Sequence, residues 1–152
     1  MRNTVASVVV ALLVSFPSVC AALSHDDVAL DAAGLQQLEQ RAQHAEVREQ
    51  AFLYTELVQA YTQMAGKQIA DGDTEHANAS LTRIQHFASL IQAGLANNAK
   101  KLKDAEMMMH SASFRLRQCL HGASDEDQPA IASTLRELDK VHEEMLAQVF
   151  AH

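Results

Sequence analysis

Residues Ala77–Cys119 read ANASLTRIQHFASLIQAGLANNAKKLKDAEMMMHSASFRLRQC, and the spacing of the apolar side chains in this stretch decides the fold. Stepping alternately by four and three residues from Ala77 reaches Leu81, Ile84, Ala88, Ile91, Leu95, Asn98, Leu102, Ala105, Met109, Ala112, Leu116 and Cys119. Among these positions only Asn98 is neither apolar nor a cysteine. Side chains so spaced return to one side of an α-helix about every seven residues, which is the pattern of a seam between packed helices. The reading is therefore one long helix, continuous or gently bent. Asp73 or Thr74 caps its start, HGAS ends it at Gly122, and GLANN (Gly94–Asn98) is its one weak point.

The flanking sequence supplies the partners of that helix. Upstream, Leu35, Leu38, Ala42, Ala45, Phe52, Leu53, Leu57, Ala60 and Met64 form one apolar stripe. Val47, Tyr54, Val58, Tyr61, Ala65 and Ile69 form a second on another side, so this segment is contacted from two directions. The second stripe starts only after His44–Glu46, which marks a break there. ADGD then turns the chain back antiparallel. Downstream, ASDEDQP offers Ser124 as a cap and Pro129 in a first turn, ahead of Ile131, Leu135, Leu138, His142, Met145 and Val149, again at 4-3 spacing. With 5 glycines, 2 prolines and no tryptophan in 152 residues, nothing competes with helix. The expected fold class is all-α, an antiparallel helical bundle of three to four long helices with a coiled-coil-like 4-3 seam.

The N-terminus, MRNTVASVVVALLVSFPSVCAALSHDD, has one arginine, an uncharged run from Thr4 to Phe16, then Pro17 and small residues. This is the layout of a secretory signal, too short for the ~20 residues of a membrane-spanning helix. The expected organisation is a signal over residues 1–21, cleaved after Ala21 or Ala22, a flexible segment over 22–33, and one helical domain over 34–152. Cys20 also admits lipidation, although Pro17–Val19 resembles a lipobox only in the cysteine that follows. The destination is the periplasm or the exterior, with no membrane span after cleavage. Loss of Arg2 takes the formal charge from −7 to −8, which makes nucleic acid and anionic membrane poor partners. The basic run NNAKKLK (Asn97–Lys103) reads as a solvated helix face. Cys119 is left as the only thiol, and burial on an apolar face is its expected state.

YTELVQAY followed by ADGDTEHANASLTRI resembles the helix-turn-helix of a tetratricopeptide repeat over Tyr54–Ile84. Tyr54, Leu57 and Tyr61 match its first helix, and Ala77 and Leu81 its second, while Val58 replaces the usual small residue. The resemblance implies a helical hairpin with a protein-binding role, in a single copy.

DAEMMMHSASFRLRQCLHG (Asp104–Gly122) concentrates sulfur and imidazole. At about 100° per residue, Ala105, Met109, Ala112 and Leu116 face the seam, with Met108 and Cys119 at its edge. Met107, His110, Phe114 and His121 point the opposite way and form a candidate interaction face for a protein partner or for self-association. Glu106, Met107 and His110 are the candidate metal ligands, but two or three donors on one helix need another helix to complete a site. Glu49 and Glu56 are candidate interior carboxylates. The Glu-x-x-His pairing of di-metal helical proteins is absent, with only Asp139-x-x-His142 and Glu106-x-x-x-His110 in its place. No phosphate loop, nucleophile elbow or paired-cysteine motif appears, so the sequence points to no catalysis and no cofactor. The favoured expectation is an exported, non-catalytic interaction or scaffold protein. The alternative is a small-ligand or metal-binding helical bundle of the periplasm.

Expression with the leader intact should yield a mature chain whose N-terminal sequencing starts at Ala22 or Leu23 and whose thiol titration finds a single group. An uncleaved Met1 contradicts the export reading, and a lipid-modified Cys20 at the new N-terminus replaces release at Ala21 or Ala22 with a lipid anchor.

Overall fold

The computed structural model describes residues 31–151. The leader, its cleavage sites, Cys20 and the segment up to residue 30 lie outside them. Among the described residues the chain is entirely helical, with five helices and no strand: α1 (Ala32–His44), α2 (Val47–Ala70), α3 (Thr74–Leu95), α4 (Leu102–Gly122) and α5 (Gln128–Phe150). Four are long and one is short. Helical structure begins at Ala32, slightly ahead of the expected 34. No helix among the described residues is long and apolar enough to cross a membrane.

Each boundary has a local cause. Asp31 opens α1 by accepting a hydrogen bond from the Gly34 backbone N–H at 2.7 Å. The break at His44–Glu46 falls where the second apolar stripe begins: Ala45 and Glu46 are extended, and the Gln50 amide donates to the freed carbonyls of Gln43 and Ala45. Gly72, at φ +73°, makes the turn after α2, and Asp73 caps α3 by accepting from the His76 backbone N–H. Ser124 caps the turn before α5 rather than the helix itself. Its Oγ bonds the Asp127 carboxylate at 2.7 Å, and Asp127 occupies the cap position without a side-chain bond to the helix. Pro129 sits in the first turn as expected.

The expectation of one helix through Ala77–Cys119 is overturned. The chain leaves α3 at Leu95, and Asn98 and Lys101 both take left-handed backbone, at φ 55° and 54°. Gly94, inside the expected weak point, stays helical. It lies against Ala51 near the start of α2, where a Cβ would also fit in ordinary contact. Arg48 Nε donates to the Asn98 carbonyl at 3.0 Å, and the Lys100 backbone N–H donates to the Arg48 carbonyl at 2.7 Å, which pins the loop onto the beginning of α2. Lys100 reaches Glu46 and Glu49, and the Lys101 ammonium stands 4.6 Å over the Phe52 ring. The run Asn97–Lys103 is thus mostly a tethered turn in which Lys100 and Lys101 have partners, with Lys103 exposed in the first turn of α4, rather than a solvated helix face.

The chain after this turn comes back. A straight continuation would carry Cys119 about 36 Å past Leu95, yet Cys119 lies beside Gly66 near the end of α2. α2 packs against α1, α3 and α4, and α5 closes the other side by packing against α3 and α4. α3 and α4 stand across the core from one another. The two halves of the long pattern are each buried: Leu81, Ile84, Ala88, Ile91 and Leu95 on α3, and Ala105, Met109, Ala112 and Leu116 on α4. They meet α2 and α5 rather than forming one stripe. A continuous helix would have left the α4 half with nothing to cover it.

The core is apolar with a few polar exceptions, of which Ser113 Oγ and Asp127 Oδ1 have no hydrogen-bond partner among the described residues. Leu57, Val58, Ile91, Leu116, Ile131 and Leu138 have no exposure, and the buried hydroxyls of Thr55 and Thr62 donate to the carbonyls of Ala51 and Val58 at 2.8 Å. One polar cluster fastens α1. Glu39 accepts from the Tyr61 hydroxyl at 2.7 Å and pairs with Arg83, whose guanidinium lies over Phe87. Phe87 in turn stacks on Tyr54 and Tyr61. Burial acts to raise the Glu39 carboxyl, but the bonds from Arg83 and Tyr61 and the Arg83 charge together hold it below its ordinary range.

Leu57→Ala should cost about 2–5 kcal/mol in denaturant unfolding. Glu39 is deprotonated more readily in the folded than in the unfolded chain, so its stabilisation is present above the unfolded carboxylate range and disappears as pH falls through the lower folded one. Amide exchange should therefore rise in α1 before the rest as the solution is acidified. Glu39→Gln should cost about 1–2 kcal/mol near neutrality and remove that part of the acid dependence.

Candidate interaction face

α4 presents two faces. Ala105, Met109, Ala112, Ser113 and Leu116 are buried, whereas Lys103, Asp104, Met107, His110, Ser111, Phe114, Arg117, Gln118 and His121 are exposed. Met107 is 60 % exposed and Phe114 54 %, seven residues apart on one side of the helix. That spacing is two turns, about 10 Å of rise. The expected stripe of Met107, His110, Phe114 and His121 therefore faces outward. α1 does not cover it, because α1 packs against α2 and is tied to α3 through Glu39 and Arg83.

A polar border with α5 runs along one flank of this face. His142 Nε2 lies 2.7 Å from Glu106 Oε1, with the two side chains 16 % and 17 % exposed, and facing a carboxylate the ring N–H donates. The His110 ring centroid is 5.4 Å from that of His142. Two turns further on, Arg117 Nη2 donates to both Asp139 oxygens at 2.9 and 3.1 Å. His142 is thus a hydrogen-bonded, mostly buried histidine of the α4–α5 packing, as its place in the 4-3 spacing suggests. Its partner Glu106 has no signature in the sequence, because two residues 36 positions apart meet only through the helix pairing.

The candidate ligands separate. Glu106 is drawn toward α5, whereas Met107 turns outward, and among the described residues no group of three or more His, Cys, Asp or Glu side chains is placed to hold a metal ion. Asp139 is engaged with Arg117 rather than with His142. Glu49 is a surface partner of Lys100. Glu56 is partly buried, and burial pushes its carboxyl up against the pull of Arg41 and Lys101. A cavity of about 110 Å³ opens beside these groups, lined by Arg41, Glu49, Phe52, Leu53, Lys100 and Lys101. Two of its cations, Lys100 and Lys101, already have carboxylate or ring partners in Glu46, Glu49 and Phe52. Cys119 is half-buried, and burial raises its thiol pKa more than Arg115 lowers it, so it is a poor nucleophile near neutrality.

Comparison of the chain with protein-family models, with curated proteins and with solved structures gives no match.

Because Phe114 is exposed and Met109 has no exposure, the two positions should respond differently to truncation. Phe114→Ser should change unfolding stability by less than about 0.5 kcal/mol, and Met109→Ala should cost about 2–5 kcal/mol. Comparable losses at the two sites would show that Phe114 is packed within the folded chain.

Proposed function

We propose that this chain is an exported, non-catalytic helical module, an antiparallel bundle with coiled-coil-like packing, that binds protein through the outer face of α4. The exposure of Met107 and Phe114 carries the reading. Two large apolar side chains stand two turns apart on one ridge, with Asp104 and Lys103 at one end and Arg117 and His121 at the other. An apolar strip with a polar rim is the composition of a recognition surface, and leaving it in water gains nothing for the fold. The polar groups beside it, Glu106, His142, Arg117 and Asp139, are engaged in holding α4 to α5. The hairpin of α2 and α3, where the tetratricopeptide likeness lies, adds a scaffold role to this reading without supplying the surface.

One observation favours a second reading, a metal-binding bundle: Glu106 and His110 on α4 both lie next to His142 of α5. Elemental analysis of untagged protein decides it. Stoichiometric zinc or copper that Glu106→Ala or His142→Ala abolishes would establish the metal.

The binding reading is tested by placing a photoreactive amino acid at position 107 or 114, and at exposed Gln36 on α1 as a control, in the exported protein. Covalent adducts with a second chain, whether another protein or this one, should form from 107 and 114 and not from 36. No adduct at either α4 position, or equal adducts at all three, overturns it.

A further inference from the structure

We infer that the partner of the α4 face is a second copy of this chain, bound α4 against α4 in antiparallel around a twofold axis between His110 and Ser111. The inference rests on the reading that this face is the binding surface, and it names the occupant.

The argument starts from the order of side chains along the exposed side. From the N-terminal end they run Lys103 and Asp104, Met107, His110 and Ser111, Phe114, Arg117 and Gln118, and all of them are exposed. Met107, His110, Ser111 and Phe114 stand at i, i+3, i+4 and i+7, the diamond of positions that meets an opposing helix where two helices cross. The middle of this diamond is small and polar and its two ends are large and apolar. A twofold axis through that middle can relate two copies in either direction, and the charges choose between them.

In the parallel arrangement each residue meets its own copy. Asp104 would face Asp104, Arg117 would face Arg117, and the two helix dipoles would align, all of which oppose association. In the antiparallel arrangement every pair is complementary. Met107 meets Phe114 of the second copy, a thioether against an aromatic ring. Asp104 meets Arg117, Lys103 meets Gln118, and His110 meets Ser111. Each pairing occurs twice, as a closed twofold interface requires.

The ionic pair has groups ready for it. Asp104 has no hydrogen bond or ion pair among the described residues, and Arg117 holds Asp139 through Nη2 alone, which leaves its other nitrogens to the second chain. One helix face is a small interface against the ~1,200–2,000 Å² of a standard one, so the dimer forms with rising concentration rather than obligatorily. The formal charge, −7 for the full sequence and −8 without Arg2, opposes it at long range, and moderate salt therefore strengthens the approach while weakening the Asp104–Arg117 pair.

The experiment combines sedimentation velocity over a wide concentration range with disulfide cross-linking. The exported mature chain should shift from monomer to dimer, and Met107→Asp should abolish the shift while circular dichroism stays unchanged. In a Cys119→Ala background, M107C and F114C chains mixed and oxidised should cross-link to each other in preference to themselves. D104R should weaken the dimer several-fold. A strict monomer at the highest concentration overturns this inference while the adducts at 107 and 114 still decide the broader reading. Preferential M107C–M107C cross-links overturn the antiparallel arrangement. A dimer indifferent to Met107→Asp and to Phe114→Asp overturns this inference, because the contact between copies then lies elsewhere on the molecule, and the broader reading is again decided by the adducts at 107 and 114.

Discussion

The fold depends on the coverage of α2. This helix carries apolar side chains around most of its circumference, and Leu57 and Val58, adjacent in sequence and therefore about 100° apart, are both without exposure. One neighbour cannot bury both. α1, α3 and α4 each cover a different side, and α5 closes the ring against α3 and α4. The return of the chain at Asn97–Lys101 follows from the same demand. Left-handed backbone at Asn98 and Lys101 is unfavourable for residues with a Cβ, and it persists because it brings the apolar side of α4 onto α2 and because Arg48 and Lys100 tie the turn in place.

This arrangement also creates the exposed face. α4 stands at a corner between α2 and α5, so its seam positions Ala105, Met109, Ala112 and Leu116 are enclosed while the opposite side has no neighbour among the described helices. α1 does not fill the gap, because the break at Ala45–Glu46 and the Glu39–Tyr61–Arg83 cluster hold it on the α2–α3 side. The exposed face and the α1 attachment are therefore two results of one packing decision. The histidines differ accordingly: His142 is taken into the α4–α5 border by Glu106, while His110 and His121 stay on the open side.

Much of this was legible in the residues. The inward and outward sides of α4 follow from periodicity alone, since Met109 and Met107 are separated by about 200° on any helix through them. The break at His44–Glu46, the Asp73 cap and the first-turn position of Pro129 are likewise local properties. The failure at Ala77–Cys119 is instructive. A 4-3 pattern records which side of a helix is buried but not what it is buried against, and here the register happens to carry across a six-residue turn from Ala96 to Lys101. The signal that could have exposed the turn was Asn97-Asn98 beside the lysines, since asparagine tolerates left-handed backbone better than other residues with a Cβ.

Sequence alone determined the helical class, several helix termini and the polarity of each face, because these rest on periodicity, caps and composition within a few turns of chain. Tertiary structure alone decided the reversal between α3 and α4, the ring order of the helices, the meeting of Glu106 with His142 and of Arg117 with Asp139, and the openness of the Met107–Phe114 ridge. Those depend on which helix lies beside which. That choice is made by the total apolar area covered in competing arrangements, a quantity no single segment contains.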